Sequence, residues 1–351
     1  MKLRVGVIGL GRMGRLHLMN SLRIDDVYVV AVADKSKSAL KRAKSLGVQK
    51  LFLDYQKLLN DCHDLDAVLI SLPNFLHFPS IQLALESGVN VFIEKPLATT
   101  SKECLEIMKK VKASGRKLMV GHCMRFLTVV ERMKTVLSKG SIGKLEVITI
   151  EEILNGPFAH GVIPKPIPEW WFNPQKTGGG ALIDLGYHWI DIFRYFTESR
   201  KARVLFSHLD YRLNLPIEDG AIVILKSLEN LVTGIIHVGW YQKSIFPRYN
   251  FRLVLHGDAG YMSSEELIPK NMYLHAIKEG MKNLLRKTIR KKIHPLSYTY
   301  YYEAYYNELE HFFSCIKNDL EPSVSAIDGL RTIEIIEEVY KRSTRTSNGT
   351  K

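Results

Sequence analysis

The stretch "GVIGLGRMG" places Gly9, Gly11 and Gly14 directly after a β-branched run and directly before a helical pattern near Met13–Leu22. No other feature constrains the fold as tightly. A strand, a G-x-G-x-x-G turn, a helix and a second strand that ends in an acid form a dinucleotide-binding βαβ unit. Gly9 makes the tight turn, Gly11 lets backbone approach a pyrophosphate, and Gly14 lets helix and strand pack closely. The free N–H groups at the helix start, around Arg12 and Met13, hold the anion. The next strand, "VYVVAVAD", ends in Asp34, where a carboxylate can bind both ribose hydroxyls. A 2′-phosphate beside that carboxylate is repelled, so NAD is preferred. Lys35, Ser36 and Lys37 follow at once and offer a grip for that phosphate, so NADP stays open.

The alternation continues. "AVLISLP", "NVFIEKP" and "KLMVGH" read as further strands, with helices near Ser38–Lys44, Tyr55–Asn60, Phe78–Glu86 and Lys102–Ser114. That pattern predicts a doubly wound parallel sheet, a Rossmann domain over residues 1–122. From about Gly143 the strands lengthen and are joined by turns: "KLEVITIEEI", "ARVLFSHLDY", "GAIVILKS", "LVTGIIHVGW" and "NFRLVLHG". They predict an α+β domain over 123–351 with an open, mostly antiparallel sheet, closed by helices at Ala304–Lys317 and Ala326–Arg342. With 351 residues, 46% of them hydrophobic, two cores are within reach. The first strand begins at once, leaving no room for a signal peptide, and Cys62, Cys104, Cys123 and Cys315 form no C-x-x-C pair. A cytoplasmic protein with buried free thiols is expected. The charge of +13 favours phosphate-bearing ligands, but no nucleic-acid-binding motif accompanies it.

Glu94-Lys95-Pro96 ends a strand of the first sheet at its carboxyl edge, where ligands bind. Together with "SLPNFLH" (71–77), "GHCMRF" (121–126) and "GGGALIDLGYHWID" (178–191), it resembles the Gfo/Idh/MocA oxidoreductase family over nearly the whole chain. The resemblance implies hydride exchange between NAD(P) and a hydroxyl or carbonyl of a sugar, inositol or related polyol. It carries a catalytic lysine onto Lys95 and a D-x-x-x-H pair onto Asp184 and His188. It sets Ser71, Pro73, Asn74, His77, Glu94 and Lys95 along the cofactor, and Arg125 beside cofactor and substrate.

The residues support those roles independently. Oxidising an alcohol requires its O–H proton to leave, and a histidine is the natural base. Asp184 and His188, four apart, share a helix face, so Asp184 can orient the imidazole or bind a substrate hydroxyl. Lys95 places positive charge beside a developing alkoxide. The bland alternative is a capping aspartate with a core histidine. A metal held by Asp184, His188 and Asp191 is disfavoured, since the cofactor carries the redox chemistry; no metal is expected. Trp171, beside Trp170 in the long Pro/Gly-rich loop at 155–177, reads equally as an aromatic wall on a sugar ring or as loop packing. "KEGMKNLLRKTIRKK" (278–292), with Ile293 next after it, puts Met281, Leu284, Leu285, Ile289 and Ile293 on one helical face and seven basic residues elsewhere. It reads as a solvated amphipathic helix rather than a membrane contact, and "YTYYYEAYY" (298–306) as helix packing. The expected partners are a polyol or sugar, free, phosphorylated or nucleotide-linked, and further copies of the chain as a homodimer or homotetramer. Neither nucleic acid nor membrane is expected. A keto-sugar or dihydrodiol reductase would use the same residues in reverse. A non-catalytic NAD sensor would not need all of Lys95, Asp184 and His188.

Overall fold

Strands buried on both faces need no alternation, and the β-branched runs of the first third are buried almost throughout. In the computed structural model, which describes residues 2–158, 167–241, 251–267, 271–289 and 301–347, they form one parallel sheet. Its described strands are β1 (Leu3–Ile8), β2 (Val27–Ala33), β3 (Lys50–Phe52), β4 (Ala67–Ile70), β5 (Asn90–Glu94) and β6 (Leu118–Gly121). Their order is β3-β2-β1-β4-β5-β6, which puts the switch point between β1 and β4. The three-residue edge strand β3 is too short to show a period and escapes the sequence reading. Helices α1 (Arg12–Ser21), α2 (Lys37–Ser45), α3 (Tyr55–Asp61), α4 (His77–Glu86) and α5 (Ser101–Ser114) fall where the pattern predicts. Side-chain caps start three of them: Ser36, Asp54 and Thr100 accept N–H groups of the first turn.

The chain folds as two compact units, neither continuous in sequence. The first comprises residues 1–122, 168–179 and 305–337. It therefore includes the short α7 (Pro174–Thr177), most of α10 (Tyr301–Lys317) and the first half of α11 (Ala326–Ser347). These late segments are tied in. The Val120 N–H donates to the Val324 carbonyl at 3.0 Å, and Glu337 accepts from both the Ser101 N–H and hydroxyl at 2.8 and 2.7 Å.

The second unit comprises residues 123–167, 180–304 and 338–351. Its sheet is built from β7 (Leu145–Ile153), β8 (Ala202–Asp210), β9 (Gly220–Ser227), β10 (Thr233–Gly239), β11 (Phe251–Gly257) and β12 (Tyr261–Ser263). The order is β12-β11-β7-β10-β9-β8, with only the β7–β10 pair parallel among the described strands. One face of this sheet is core. Helix α8 (Tyr187–Thr197) lays fully buried Trp189 and Phe193 on it, and a Cβ at Gly234 would come within 2.6 Å of the Phe193 ring. The Trp189 indole N–H donates to Glu152 at 2.6 Å, so a carboxylate buried in that core is satisfied. Helices α6 (Thr128–Ser138) and α9 (Met272–Thr288) complete the described elements. All four cysteines are buried free thiols, as expected.

Helix α9 departs from its sequence reading. Its apolar residues point outward rather than into a core, with Met281, Leu284 and Leu285 all more than 60% exposed. Residues 290–292 of that basic stretch, 159–166 of the long loop and 298–300 of the tyrosine run lie outside the described residues. No helix among the described residues is long and apolar enough to cross a membrane.

Arg125 and Asp191 are the most consequential buried charges of the second unit. Nε and Nη2 of Arg125 donate to the two Asp191 oxygens at 2.6 Å each, and both side chains are buried. Removing one partner of such a pair leaves an uncompensated charge in low dielectric. Arg125→Met is therefore expected to destabilise folding by about 3 kcal/mol, the lower end of the usual cost, because Arg194 lies 3.8 Å from Asp191 and offsets part of it. Adding Asp191→Leu should restore most of the loss. Urea denaturation of the two variants checks both.

Candidate functional site

The glycine turn is built as its spacing requires. Gly9 has φ +83°, and a Cβ on Gly14 would stand 1.7 Å from the Gly9 carbonyl oxygen, so helix α1 meets the turn at a distance only glycine permits. Gly11 caps α1 with no side-chain hydrogen bond to its first N–H groups, and a Cβ there would meet nothing within 4 Å. Uncapped helix N–H groups facing open space make an anion cradle. Arg12 beside it is exposed and Met13 half-buried. Ser71, at the end of β4, has a buried Oγ with no partner among the described residues, a donor free for a ligand. Asp34 Oδ2 accepts the Leu10 N–H at 2.5 Å and Oδ1 the Ser36 N–H at 2.7 Å. Two backbone amides thus fix the carboxylate, and each oxygen keeps a lone pair for a ribose hydroxyl. Lys35 is exposed. These residues fit a dinucleotide.

Further along the same sheet edge, Pro73 caps a short 3₁₀ turn, Asn74–Leu76. The Asn74 amide donates to the Thr177 carbonyl at 2.8 Å. The Phe75 ring meets Trp170 edge-on at 6.2 Å and lies 5.7 Å from the Lys176 ammonium. Trp171 stacks obliquely on Trp170 at 5.6 Å and remains half-exposed. The 168–179 segment is thereby strapped to the rest of the first unit. This accounts for Asn74 and Trp170 as packing residues and leaves part of the Trp171 ring open. His77 is fully buried between the Pro96 and Leu72 carbonyls, at 2.6 and 2.9 Å. Burial pushes its pKa down, against the pull of those carbonyls. His77 anchors the E-K-P turn through the carbonyl of Pro96, whose peptide bond to half-buried Lys95 is cis.

Glu94 belongs to a cluster the sequence does not announce. Its Oε1 pairs with His17 Nε2 at 2.5 Å, and Glu308 of α10 completes the group. Ligand-type atoms of His17, Glu94 and Glu308 lie within 4.8 Å of one another, the spacing of a metal site. The direct His17–Glu94 contact already uses one atom of each, which a hydrogen-bonded acid pair explains without an ion. Both Glu308 oxygens are buried without a close hydrogen-bond partner among the described residues. Burial, and next the charge of Glu94, push the Glu308 carboxyl well above the usual range.

The second unit resumes at Gly180, the last of the three glycines of "GGGALIDLGYHWID", which leads into a π-helical turn, Leu182–Gly186, before α8. The regular α-helix read from the sequence is thus widened by one residue at Asp184. Glu218 sets the start. Its Oε1 accepts the Gly180 N–H at 2.8 Å, the Leu182 N–H at 3.0 Å and the Tyr340 hydroxyl at 2.7 Å. A Cβ on Gly180 would fall 2.0 Å from the Glu218 carbonyl oxygen, which explains the glycine. Burial raises the pKa of Glu218, and burial followed by Glu218 raises that of Tyr340. Asp184 and His188 are both half-buried on a run whose neighbours Leu182, Tyr187 and Trp189 are buried. Arg125 is committed to Asp191, as described, and stacks 5.1 Å from the Tyr195 ring. That pairing accounts for Arg125 and Asp191 as structural partners and occupies the carboxylate a metal reading would have used. Sequence reasoning missed His17, Glu218 and Glu308. Each is a buried polar residue whose local sequence gives no hint of the distant partner.

The cradle separates two effects. Gly11→Ala is expected to keep the thermal midpoint and weaken NAD binding at least tenfold, because its methyl enters open space that the ligand needs. Gly14→Ala should lose both stability and binding, because its methyl meets backbone. NADH fluorescence titration and thermal denaturation read the two. For Glu308, the raised pKa means the folded state holds a proton that the unfolded chain releases above about pH 4.3. Wild-type stability therefore falls as pH rises from that value. Glu308→Gln carries no such dependence, so its stability relative to wild type should increase between pH 4.5 and 7.5 in urea denaturation.

Two family models match the chain: "Oxidoreductase family, NAD-binding Rossmann fold" over residues 3–122 and "GFO/IDH/MocA C-terminal domain" over residues 130–263. The chain is 26% identical to inositol 2-dehydrogenase of Rhizobium meliloti (strain 1021), over 97% of both chains. It is 27% identical to scyllo-inositol 2-dehydrogenase (NAD(+)) of Bacillus subtilis (strain 168), over 95% of this chain and 92% of that one. Its fold matches the crystal structure of myo-inositol 2-dehydrogenase from Lactobacillus plantarum with a TM-score of 0.80, at 21% identity and over 99% and 98% of the two chains. The glycine cradle, the E-K-P turn and the two matched domains have one common explanation: the chain belongs to the Gfo/Idh/MocA family of NAD-binding oxidoreductases.

Proposed function

We propose that the protein is a dehydrogenase that oxidises a secondary hydroxyl of a cyclic polyol, a sugar or a phosphorylated or nucleotide-linked sugar, with Lys95, Asp184 and His188 as its catalytic groups. The observation that carries this reading is the pair Asp184 and His188. They are polar and partly accessible on a helical run that is otherwise buried, and the Glu218 hydrogen bonds hold that run at its start. A capping aspartate and a core histidine would not need so elaborate an anchor. The names of the relatives, inositol dehydrogenases above all, support the substrate class.

Bound NAD supplies the hydride acceptor, held by the Gly9–Gly14 turn, Ser71 and Asp34. His188 takes the hydroxyl proton as the alcohol carbon is oxidised. The Lys95 ammonium stabilises the negative charge that develops on the oxygen, an interaction stronger in the transition state than in the bound alcohol. Asp184 orients the imidazole or binds a neighbouring hydroxyl. The anchored Asp34 carboxylate favours NAD over NADP. In the reverse direction the same residues reduce a keto-sugar, with His188 as the proton donor. The outer face of the second sheet bears the partly exposed Ile222, Ile224 and Ile235, and Phe206 on β8 is half-exposed, which supports a homo-oligomer formed through that sheet.

The reading is tested by NADH absorbance on a panel of inositols, sugars and sugar phosphates, with NAD giving the higher kcat/KM than NADP. His188→Asn should retain NAD binding and lose turnover by about 10²–10⁴-fold, the usual contribution of general acid–base catalysis. The wild-type rate of oxidation should rise with pH through one ionisation, and that limb should vanish in the variant. Lys95→Ala should also lose turnover with NAD binding largely kept. Near wild-type turnover in His188→Asn, with the limb intact, refutes the assignment.

A further inference from the structure

Helix α9 is inside out. Its polar side faces protein: Asn283 is only 6% exposed, and His275, Glu279 and Arg286 are half-buried. Its apolar side faces solvent: Leu274, Ile277, Met281, Leu284 and Leu285 are each between 61% and 68% exposed. Their spacing of three and four residues puts all five on one face. From Leu274 to Leu285 the stripe runs for about 17 Å along the helix. A core-packed amphipathic helix shows the opposite arrangement. Exposed leucines scattered singly need no explanation, but a continuous stripe of large aliphatic side chains marks a surface that binds something.

The charges around the stripe narrow what that is. Lys278 and Lys282 run along one flank and Lys287 lies beyond the other, and the sequence continues Arg290-Lys291-Lys292. Glu279 is the one acid in the helix, and it is taken within the helix by Lys282 at 2.5 Å and Arg286 at 3.9 Å. A second copy of α9 laid against this face would set basic flank on basic flank. Complementary flanking charges are what helix pairing selects, and like charges oppose it. The described side chains of the exposed stripe are flexible aliphatic ones, and none of them is a tryptophan or tyrosine of the kind that anchors a specific protein hot spot. Lys and Arg beside a wide aliphatic face describe a helix that lies in a membrane interface, apolar side among acyl chains and basic side chains among anionic headgroups.

We propose that α9 docks the protein on an anionic lipid surface, with Leu274, Ile277, Met281, Leu284 and Leu285 inserted and the flanking lysines on the headgroups. The oxidoreductase then works at a membrane without spanning it.

Co-sedimentation of the full-length protein with vesicles tests this. Vesicles of phosphatidylcholine with one-third phosphatidylglycerol should bind at least tenfold more tightly than pure phosphatidylcholine. That preference should shrink when salt is raised from about 0.05 to 0.5 M, which shortens the reach of the charges. Leu284→Glu with Leu285→Glu should abolish binding, and Lys278→Glu with Lys287→Glu should weaken it at least tenfold. All these side chains are exposed, so circular dichroism and the thermal midpoint should not change. The proposal is overturned if neither vesicle sediments the wild type, or if the leucine variant binds as the wild type does. It is equally overturned if light scattering shows a dimer that the leucine variant dissociates while vesicles are ignored, which would assign the stripe to a second copy.

Discussion

One oxygen of Glu218 accepts three hydrogen bonds, from the N–H groups of Gly180 and Leu182 and from the Tyr340 hydroxyl. The two N–H groups belong to the start of a helix, where no intrahelical partner exists, so a buried helix start must find acceptors elsewhere. A carboxylate on the β9 side of the unit supplies them. The consequence travels along the chain. Gly180 must be glycine because the Glu218 backbone lies where a side chain would begin, the π turn follows, and Asp184 and His188 emerge at fixed places on it. Tyr340, from the end of α11, links the last helix of the chain to the same oxygen. Burial of a carboxylate costs folding free energy, and its raised pKa reports that cost. It is tolerated because it holds the helix on which the proposed chemistry depends.

The first unit manages a comparable tension differently. His77, inside the protein, sets its two ring nitrogens against the carbonyls of Pro96 and Leu72, and its one N–H in the neutral form ties the ring to a turn at the carboxyl edge of the sheet. Glu94 ends β5 with His17 on one side and the buried Glu308 near the other. Two carboxyls in a dry site do not both ionise readily, and the strain falls on Glu308. Lys95, next in sequence to Glu94, is thus flanked by positions held from within the protein. In the proposed reaction, such a preorganised backbone would let the Lys95 charge stabilise a developing anion without reorganisation.

Hydrophobic periodicity is indifferent to direction. The apolar stripe of α9 and its basic residues are plain in the sequence, yet the period says only that two faces differ. Which face meets protein depends on the rest of the second unit, and there the polar face goes inward. The same indifference explains Arg125. The family resemblance set Arg125 beside cofactor and substrate, and nothing local announces that its Nε and Nη2 also bond Asp191, 66 residues away.

What the sequence determined by itself was everything carried by local spacing. Gly9, Gly11 and Gly14 between a β-branched run and a helix require the turn they form, and alternating runs require a parallel sheet with its ligand edge at the strand ends. The D-x-x-x-H spacing placed Asp184 and His188 on one helical run. These follow from backbone sterics and a period of 3.6 or 2, which act over a few residues. Tertiary structure alone decided the long-range associations: His17 with Glu94 beside the buried Glu308, Arg125 with Asp191, Glu218 with Gly180 and Leu182. It also decided the π turn, the short edge strand β3 and the outward face of α9. Each of these depends on where a buried polar group finds its partner or an apolar face its cover, and such partners are brought together by chain segments many tens of residues apart.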